Sequence, residues 1–393
     1  MGWVLGDSLG ETVPSVFISG AGPAGLVLGN LLRAEGIDCV IAERRSREHV
    51  EQRARAGFLA ANSVRILTRH GLAAGLEAAG RQHDTCAFRG EHGQFELKYS
   101  QLGRGEIHTV YPQQFLVRDL IGEFLDRDGE IRFGTSIAAI DAQQGEVTLD
   151  NGETLGARFV AGCDGRHGVS RQAVPGRTYR RDHGISWLAL LAEAPPSMAS
   201  VMYAIHPNGF AGHMARTATV TRYYLQVPKN TDPATWPDDR VWDELNLRMR
   251  ADRYGALNQG PIIERRIVDM TSFVREPIQH GRLFLAGDAA SLISPSAAKG
   301  ANLALMAAEV LAKALSQAIK TGDSTLLDGY GAECLPRIWR AQEFSHWMIN
   351  LLHAPSGDSE EAVFARSLQR ARLASLQCSR AHQDFFAENY IGV

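Results

Sequence analysis

Near the start of the chain the hydrophobic pattern changes period twice. "VFISG" (16–20) is a continuous apolar run closed by glycine and predicts a strand. "PAGLVLGNLLRAEG" (23–36) carries apolar residues at helical spacing, with Gly36 as its stop, and predicts a helix. "DCVIAE" (38–43) returns to strand. A strand–helix–strand unit of about 30 residues predicts a parallel sheet. Further on, "SVRILTRHGLAAGLEAAG" (63–80) reads as one helix. "EVTLDNGETLGARFVAGCDG" reads as a hairpin turning at Asn151-Gly152, then a strand ending at Asp164.

From about 185 to 275 the texture changes to short β-type runs, broken by one helix-like segment, "VWDELNLRMRA". This predicts an inserted antiparallel sheet. Within it, "GFAGHMARTATVTRYYLQVP" (209–228) reads as two strands rich in Thr, Tyr and Val. Alternation puts Met214 and Arg216 on a common face, and likewise Arg222, Tyr224 and Gln226. "GRLFLAGDAA" (281–290) returns to strand-then-helix, the helix "ANLALMAAEVLAKALSQAIK" follows, and the tail over 327–387 is helical.

Composition narrows the classes. With 393 residues the chain can bury a sizeable core and divide into two or more domains. A net charge of −3 gives no reason to expect nucleic acid or an acidic membrane as partner. Cys39, Cys86, Cys163, Cys334 and Cys378 are scattered without CxxC spacing. That fits a reducing cytoplasm and argues against a metal site or a disulfide framework. No run of about 18 apolar residues predicts a membrane helix. "MGWVLGDSLGETVPS" (1–15) lacks a basic n-region and reads as a short, flexible extension, not a signal peptide.

Three motifs carry chemistry. Gly20-x-Gly22-x-x-Gly25 lies between a strand and a helix, where glycine permits a tight turn and the helix N-terminus attracts a pyrophosphate. Glu43 ends the second strand, placed to accept hydrogen bonds from ribose hydroxyls. Asp164 in "GCDG" and Asp288 in "GRLFLAGDAA" would singly pass for turn or cap residues. In the order GxGxxG, DG, GD they resemble the three fingerprints of FAD-dependent aromatic hydroxylases, the class A flavoprotein monooxygenases. "GCDGRHGVSRQ", "YAIHP", "RYYLQVP", "AKGANLA", "RIWRAQEFSHWM" and "AENYIGV" extend the resemblance from about Val16 to Val393, toward the 4-hydroxybenzoate 3-monooxygenases.

The resemblance implies an α/β fold. A Rossmann-like FAD-binding domain would occupy 16–184, with some substrate-domain strands near 85–112, and resume over 276–326. An antiparallel β-sheet substrate domain would occupy 185–275, and a helical C-terminal region 327–393. By resemblance, Arg53 and Arg55 contact FAD, one of them at the pyrophosphate, a role that suits a bidentate guanidinium. Gln113 would lie on FAD, Asp288 on the ribityl chain, and Ala301 and Asn302 against the isoalloxazine. Asp164, His167 and Arg171 would lie where the nicotinamide cofactor approaches. Pro295 would turn its carbonyl to the substrate ring. Arg216 and Tyr224 would clasp a benzoate carboxylate, with Met214 beside them. Tyr203, Tyr390 and His83 would relay the phenol's proton to solvent. Electrophilic hydroxylation needs an electron-rich ring, and a group titrating near pH 6.5 is a suitable outlet.

Several positions depart from the family pattern. Met214 replaces a serine that donates to the carboxylate, a loss of roughly 1.5–3 kcal/mol unless Thr217 or a water replaces it. "SPSAAKG" stands where the family has "PPTGAKG", and Thr271 stands at a usual arginine near the nicotinamide. "RRSREHVEQR" (44–53) replaces the segment that sets nicotinamide preference, which leaves NADPH or NADH open. The expectation is a monooxygenase that uses FAD, NAD(P)H and O2, via a flavin C4a-hydroperoxide, to hydroxylate a 4-hydroxybenzoate-like acid ortho to its phenol. The alternatives are a relative acting on an amino- or dihydroxybenzoate or causing oxidative decarboxylation, and a flavin-binding protein without oxygenase activity. The resemblance also implies a homodimer.

Overall fold

The computed structural model describes residues 14–53, 57–353, 355 and 357–392. Arg55 and most of the expected N-terminal extension lie outside the described residues. Val16–Ser19 is buried at every position because it is an inner strand of a six-stranded sheet. It pairs in parallel with Cys39–Glu43 on one side and Phe159–Gly162 on the other. Glu130–Phe133 and Leu283–Leu285 continue the parallel order, and Gln279–His280 closes one edge antiparallel. A parallel strand covered on both faces reads as an unbroken apolar run. Helix Pro23–Ala34 opens on proline, where no N–H is needed, and packs on the helices Gly300–Thr321 and Gln113–Asp126. Gly29 permits the second contact, since a Cβ there would stand 2.8 Å from the Phe124 ring.

Two expected elements differ. The single helix over 63–80 is two, Ala61–Arg69 and Ala74–Ala79. The break falls at Gly71, whose φ of +70° is left-handed backbone that glycine adopts without penalty. The apolar spacing carries on across the break and hides it. Between Leu283–Leu285 and the long helix, which starts only at Gly300, there is no α-helix but two 3₁₀ turns, Gly287–Ala289 and Pro295–Ala297.

The second sheet has eight strands. Its order is Ser291–Leu292, Ile262–Glu276, Arg177–Ala192, Thr221–Pro228, Ala211–Ala215, Val201–Ala204, Thr85–Gly90, Gly93–Lys98. It is antiparallel except where Val201–Ala204 runs parallel to Thr85–Gly90. Arg177–Ala192 spans the expected boundary at 185, because its exposed first half lacks the apolar texture by which the sheet was delimited. One face packs Leu188, Leu190, Tyr223 and Leu225 against Trp242 and Leu245 of the helix Asp238–Arg248. The other packs Trp187, Tyr203 and Phe210 in one cluster with Phe344, Phe386 and Tyr390 of the helices Tyr330–Leu352 and Arg380–Ile391. A small third sheet, of Phe58–Leu59, His108–Val110 and Arg81–His83, borders the same cluster. Among the described residues no helix is long and apolar enough to cross a membrane.

Candidate active site

The glycine turn is built by close approach. Gly20 has φ +101°, and a Cβ there would stand 2.6 Å from the Cys163 carbonyl oxygen. A Cβ on Gly25 would stand 2.0 Å from the Gly20 oxygen. At Gly22, the N-cap of Pro23–Ala34, a Cβ would meet nothing within 4 Å, and no side chain caps the helix. The first-turn N–H groups are therefore left without a capping side chain among the described residues. Glu43 holds its carboxylate at this turn, one oxygen accepting from Ala21 N at 3.0 Å and the other from Arg45 N at 2.9 Å. Further lone pairs stay available for ribose hydroxyls.

Phe159–Gly162 carries Asp164 to the same end of the sheet. Asp164 Oδ2 accepts from Ser170 N at 2.9 Å and Ser170 Oγ at 2.6 Å, while buried Oδ1 has no partner among the described residues. A Cβ on Gly168 would fall 1.8 Å from the Asp164 carboxyl carbon, so that position must be glycine. Gly287, with φ +62°, sits close to Ala24 and Ala304 and brings the GD turn against the first helix. Asp288 faces the start of Gly300–Thr321, 3.9 Å from where a Gly300 Cβ would be. A helix N-terminus without a cap, a clamped carboxylate at the second strand and an unpaired buried carboxylate oxygen form a cradle that fits FAD.

The remaining expected cofactor residues spread around this cradle. Burial lowers the His167 imidazole below its usual range, and Arg166, Arg44, Arg171 and Arg53 push it further, so four arginines surround it. His167 Nε2 accepts from Arg166 Nε at 2.8 Å. Arg171 lies over the Phe273 ring at 4.4 Å and donates to Arg166 O. Gln113 opens the helix Gln113–Asp126. Ala301 and Asn302 lie in the first turn of Gly300–Thr321, so their backbone N–H groups are helix-end donors. The Asn302 side chain departs from expectation. Its Oδ1 accepts from Ala60 N at 2.8 Å and Ser63 Oγ at 2.7 Å; its Nδ2 donates to Phe58 O at 3.2 Å and Ala298 O at 2.8 Å. All four bonding positions are used, so it holds the loops together and has nothing left for a flavin ring.

The second half of the site lies on one face of the large sheet. The register sets Tyr203 opposite Gly212 and Gly212 opposite Tyr224. Two strand spacings hold the tyrosines roughly 10 Å apart, and the residue between them has no side chain. A Cβ on Gly212 would stand 2.9 Å from the Phe210 ring and 3.3 Å from Tyr224. At one end, the Tyr203 and Tyr390 hydroxyls meet at 2.7 Å. Burial raises both phenols above their usual range, so both stay protonated. At the other end, Tyr224 lies against Trp187 at 4.9 Å and Met214 is half-buried. Arg216 stands one residue past its strand, fixed by Arg216 N donating to Val220 O. It is buried, and burial pulls its guanidinium down while Tyr224 opposes the fall. Arg222, across from Met214, is already matched by Glu264 at 3.2 Å.

Three features here go beyond the sequence reading, which marks Ser294 and Ser296 only as departures from the family loop. Ser294, Ser296 and Ser345 are buried and joined by their hydroxyls, Ser294 to Ser345 at 2.5 Å and Ser294 to Ser296 at 2.9 Å. They tie the 3₁₀ turn Pro295–Ala297 to the helix Tyr330–Leu352. Pro295 is exposed, and its carbonyl accepts from Ala298 N at 3.2 Å. Buried Lys299 donates to the carbonyls of Tyr390 and Gly392, and burial brings it down to about 7. His83 does not touch Tyr390; its Nδ1 pairs with the Tyr99 hydroxyl at 2.7 Å, and the buried His108 ring stands beside both tyrosines. Only the family segment "AKGANLA" signalled Lys299; Ser345, Tyr99 and His108 carry no motif.

A nucleotide cradle in a chain whose large sheet carries a hydroxyl pair at one end of a row and a guanidinium near the other fits one class, a flavin-dependent aromatic hydroxylase. Residues 14–345 match the family model described as an FAD binding domain, and the chain belongs to that family, as a flavoprotein aromatic monooxygenase with FAD as cofactor. The chain is 38% identical over 387 residues to p-hydroxybenzoate hydroxylase of Acinetobacter baylyi, covering 96% of this chain and 95% of the relative. It is 29% identical over 371 residues to a 3-amino-4-hydroxybenzoate 2-monooxygenase of Streptomyces platensis, covering 88% and 90%. Its fold is similar to that of p-nitrophenol 4-monooxygenase from Pseudomonas putida, with TM-score 0.81, 19% identity and 97% and 98% covered.

Proposed function

We propose that this enzyme hydroxylates a 4-hydroxybenzoate-like acid ortho to its phenol, with NAD(P)H as reductant and O2 as co-substrate. The observation that carries this reading is the row Tyr203–Gly212–Tyr224, which sets the Tyr203–Tyr390 hydroxyl pair at one end and Tyr224, with buried Arg216 beyond its neighbouring strand, at the other. Arg216 offers a fork to the carboxylate and Tyr224 a further donor. At the opposite end, Tyr203 accepts the phenol's hydrogen bond and Tyr390 continues it, with His83 toward the outlet. Pro295 and Ala297 border the ring, with Ala297 in the same apolar cluster as Tyr203. Gly20, Gly22, Gly25, Glu43, Arg53, Arg55, Gln113, Asp164, Asp288 and the Ala301 and Asn302 backbone hold FAD in this reading. His167 and Arg171 receive the nicotinamide cofactor. When bound, FAD supplies the oxygen-transfer chemistry; the protein supplies orientation, proton removal and exclusion of water.

Five free cysteines among the described residues support a reducing cytoplasm as the compartment. A homodimer belongs to the proposal by family resemblance alone. Met214 favours a second reading, in which the substrate is an amino- or dihydroxybenzoate. The 3-amino-4-hydroxybenzoate relative supports considering it. The test is O2-dependent NADPH and NADH oxidation by the FAD-loaded enzyme with 4-hydroxybenzoate, the product identified by mass. Stoichiometric 3,4-dihydroxybenzoate supports the first reading. Oxidation that yields peroxide but no product rejects it and moves the screen to amino- and dihydroxybenzoates.

A further inference from the structure

Tyr224 rests on Trp187. The register sets Trp187 opposite Gln226, two residues on from Tyr224, so the two rings are diagonal neighbours on one face of the sheet. Their centroids lie 4.9 Å apart with the planes tilted by 47°, and Phe210 stacks with the same indole at 5.0 Å. An indole has one polar atom, a donor, and a buried donor needs an acceptor. Trp187 is 2% exposed, and its Nε1 donates to His353 Nε2 at 2.7 Å. A ring nitrogen that accepts carries no hydrogen, so the proton of neutral His353 sits on Nδ1 and is donated to the Ile349 carbonyl at 3.0 Å. Burial brings this imidazole down to about 4; the Ile349 bond opposes the fall and His183 adds to it. The ring is therefore neutral near pH 7, and its tautomer is fixed by its two partners. His353 itself caps the C-terminus of the helix Tyr330–Leu352, the helix whose Ser345 holds the Pro295 loop.

On the reading of the preceding subsection, we propose that His353 is a positioning residue for the carboxylate-binding end: it holds Trp187 by that residue's one donor and so sets the surface on which Tyr224 rests when its hydroxyl meets the substrate. Stacking alone lets an indole slide or turn in its plane, whereas a directed hydrogen bond at its edge does not. Without the acceptor the indole N–H is left buried and unpaired, and it regains a partner only by turning. Any such turn moves the face that supports Tyr224. The effect travels through two printed contacts, His353 to Trp187 and Trp187 to Tyr224, and reaches neither the Tyr203–Tyr390 pair nor the glycine turn. His353 thus acts on recognition of the acid group and not on removal of the phenol's proton.

The test compares the Kd of 4-hydroxybenzoate with that of 4-hydroxybenzamide, read from the flavin absorbance change of the FAD-loaded enzyme. The amide keeps the ring and the phenol and lacks the charge that Arg216 and Tyr224 would meet. Wild-type enzyme should bind the acid at least about tenfold more tightly than the amide. His353→Leu supplies bulk without an acceptor, and this preference should fall at least about threefold, through weaker binding of the acid with the amide Kd within about twofold of wild type. His353→Gln, whose side-chain oxygen can accept from Trp187, should bring the preference back to within about twofold of wild type. An unchanged preference in His353→Leu overturns the inference, and so does a loss of affinity shared equally by both ligands, which a merely structural role would give. Wild-type enzyme that binds acid and amide alike overturns the carboxylate-end reading itself, a failure seen before any variant is made. If His353→Leu does not load FAD, Trp187→Phe decides: it keeps a ring beneath Tyr224 and removes the donor. A lowered preference then supports the inference and an unchanged one overturns it.

Discussion

Tyr223 and Tyr224 are adjacent in one strand and live in different worlds. Tyr223 faces the helix-covered side, edge-on to Trp242 at 5.4 Å, with its hydroxyl 3.2 Å from Ser197 Oγ. Tyr224 faces the opposite side, against Trp187. The same contrast holds along the whole sheet. Leu188, Leu190 and Leu225 build an apolar layer on one side, while Trp187, Gly212 and Met214 lie on the other, the side of the candidate site. A period of two residues lets one strand serve stability and chemistry at once, each with its own half of the side chains. Substitutions on the two faces should therefore fail in different ways.

The largest effect is expected for Tyr203→Phe on the site face. Hydroxylated product per NAD(P)H consumed should drop roughly 100-fold or more while 4-hydroxybenzoate still binds, as product analysis against NADPH oxidation would show. On the opposite face, Trp242→Ala should cost about 3–5 kcal/mol of stability in denaturant titration, with substrate Kd unchanged in the folded fraction. Arg216→Ala should raise the substrate Kd about 10- to 100-fold by loss of charged hydrogen bonds, with the melting temperature little changed. The smallest and sharpest contrast is the tyrosine pair. Tyr224→Phe should weaken binding about 2- to 10-fold. Tyr223→Phe should leave binding alone and lower stability by about 0.5–1.5 kcal/mol. A Tyr223→Phe protein with weakened binding would break the division between the faces.

Much of this division was legible in the chain. Glycine spacing and a change from strand to helix period located the first strand, the first helix and the turn between them, because those signals are local. Alternation put Met214 and Arg216 together, although Arg216 proved to lie just beyond the strand end. Alternation could not say which face of "RYYLQVP" carried the candidate site, since both faces are apolar and covered. The break at Gly71 was lost because apolar spacing continues on either side of it. Asn302 was placed against the flavin, yet its four bonds run to segments as distant as Phe58 and Ala60, a closure that sequence position does not reveal. Ser345, Tyr99 and His108 are chemically ordinary residues made special by partners far away in the chain. Such pairings depend on register and helix docking, and one sequence does not print them.

The joined hydroxyls of Ser294, Ser296 and Ser345 have a consequence for turnover. A loop pinned by an ion pair feels every charge that appears or leaves nearby, and its grip weakens as salt rises. A loop pinned by neutral hydroxyls does not, because none of its three members ionises in the physiological range. When electrons enter the cofactor and protons leave the substrate, the anchor beneath Pro295 keeps its strength. Motion of this loop is then governed by packing and by the geometry of the bound ring, so a change in buffer strength should leave it indifferent.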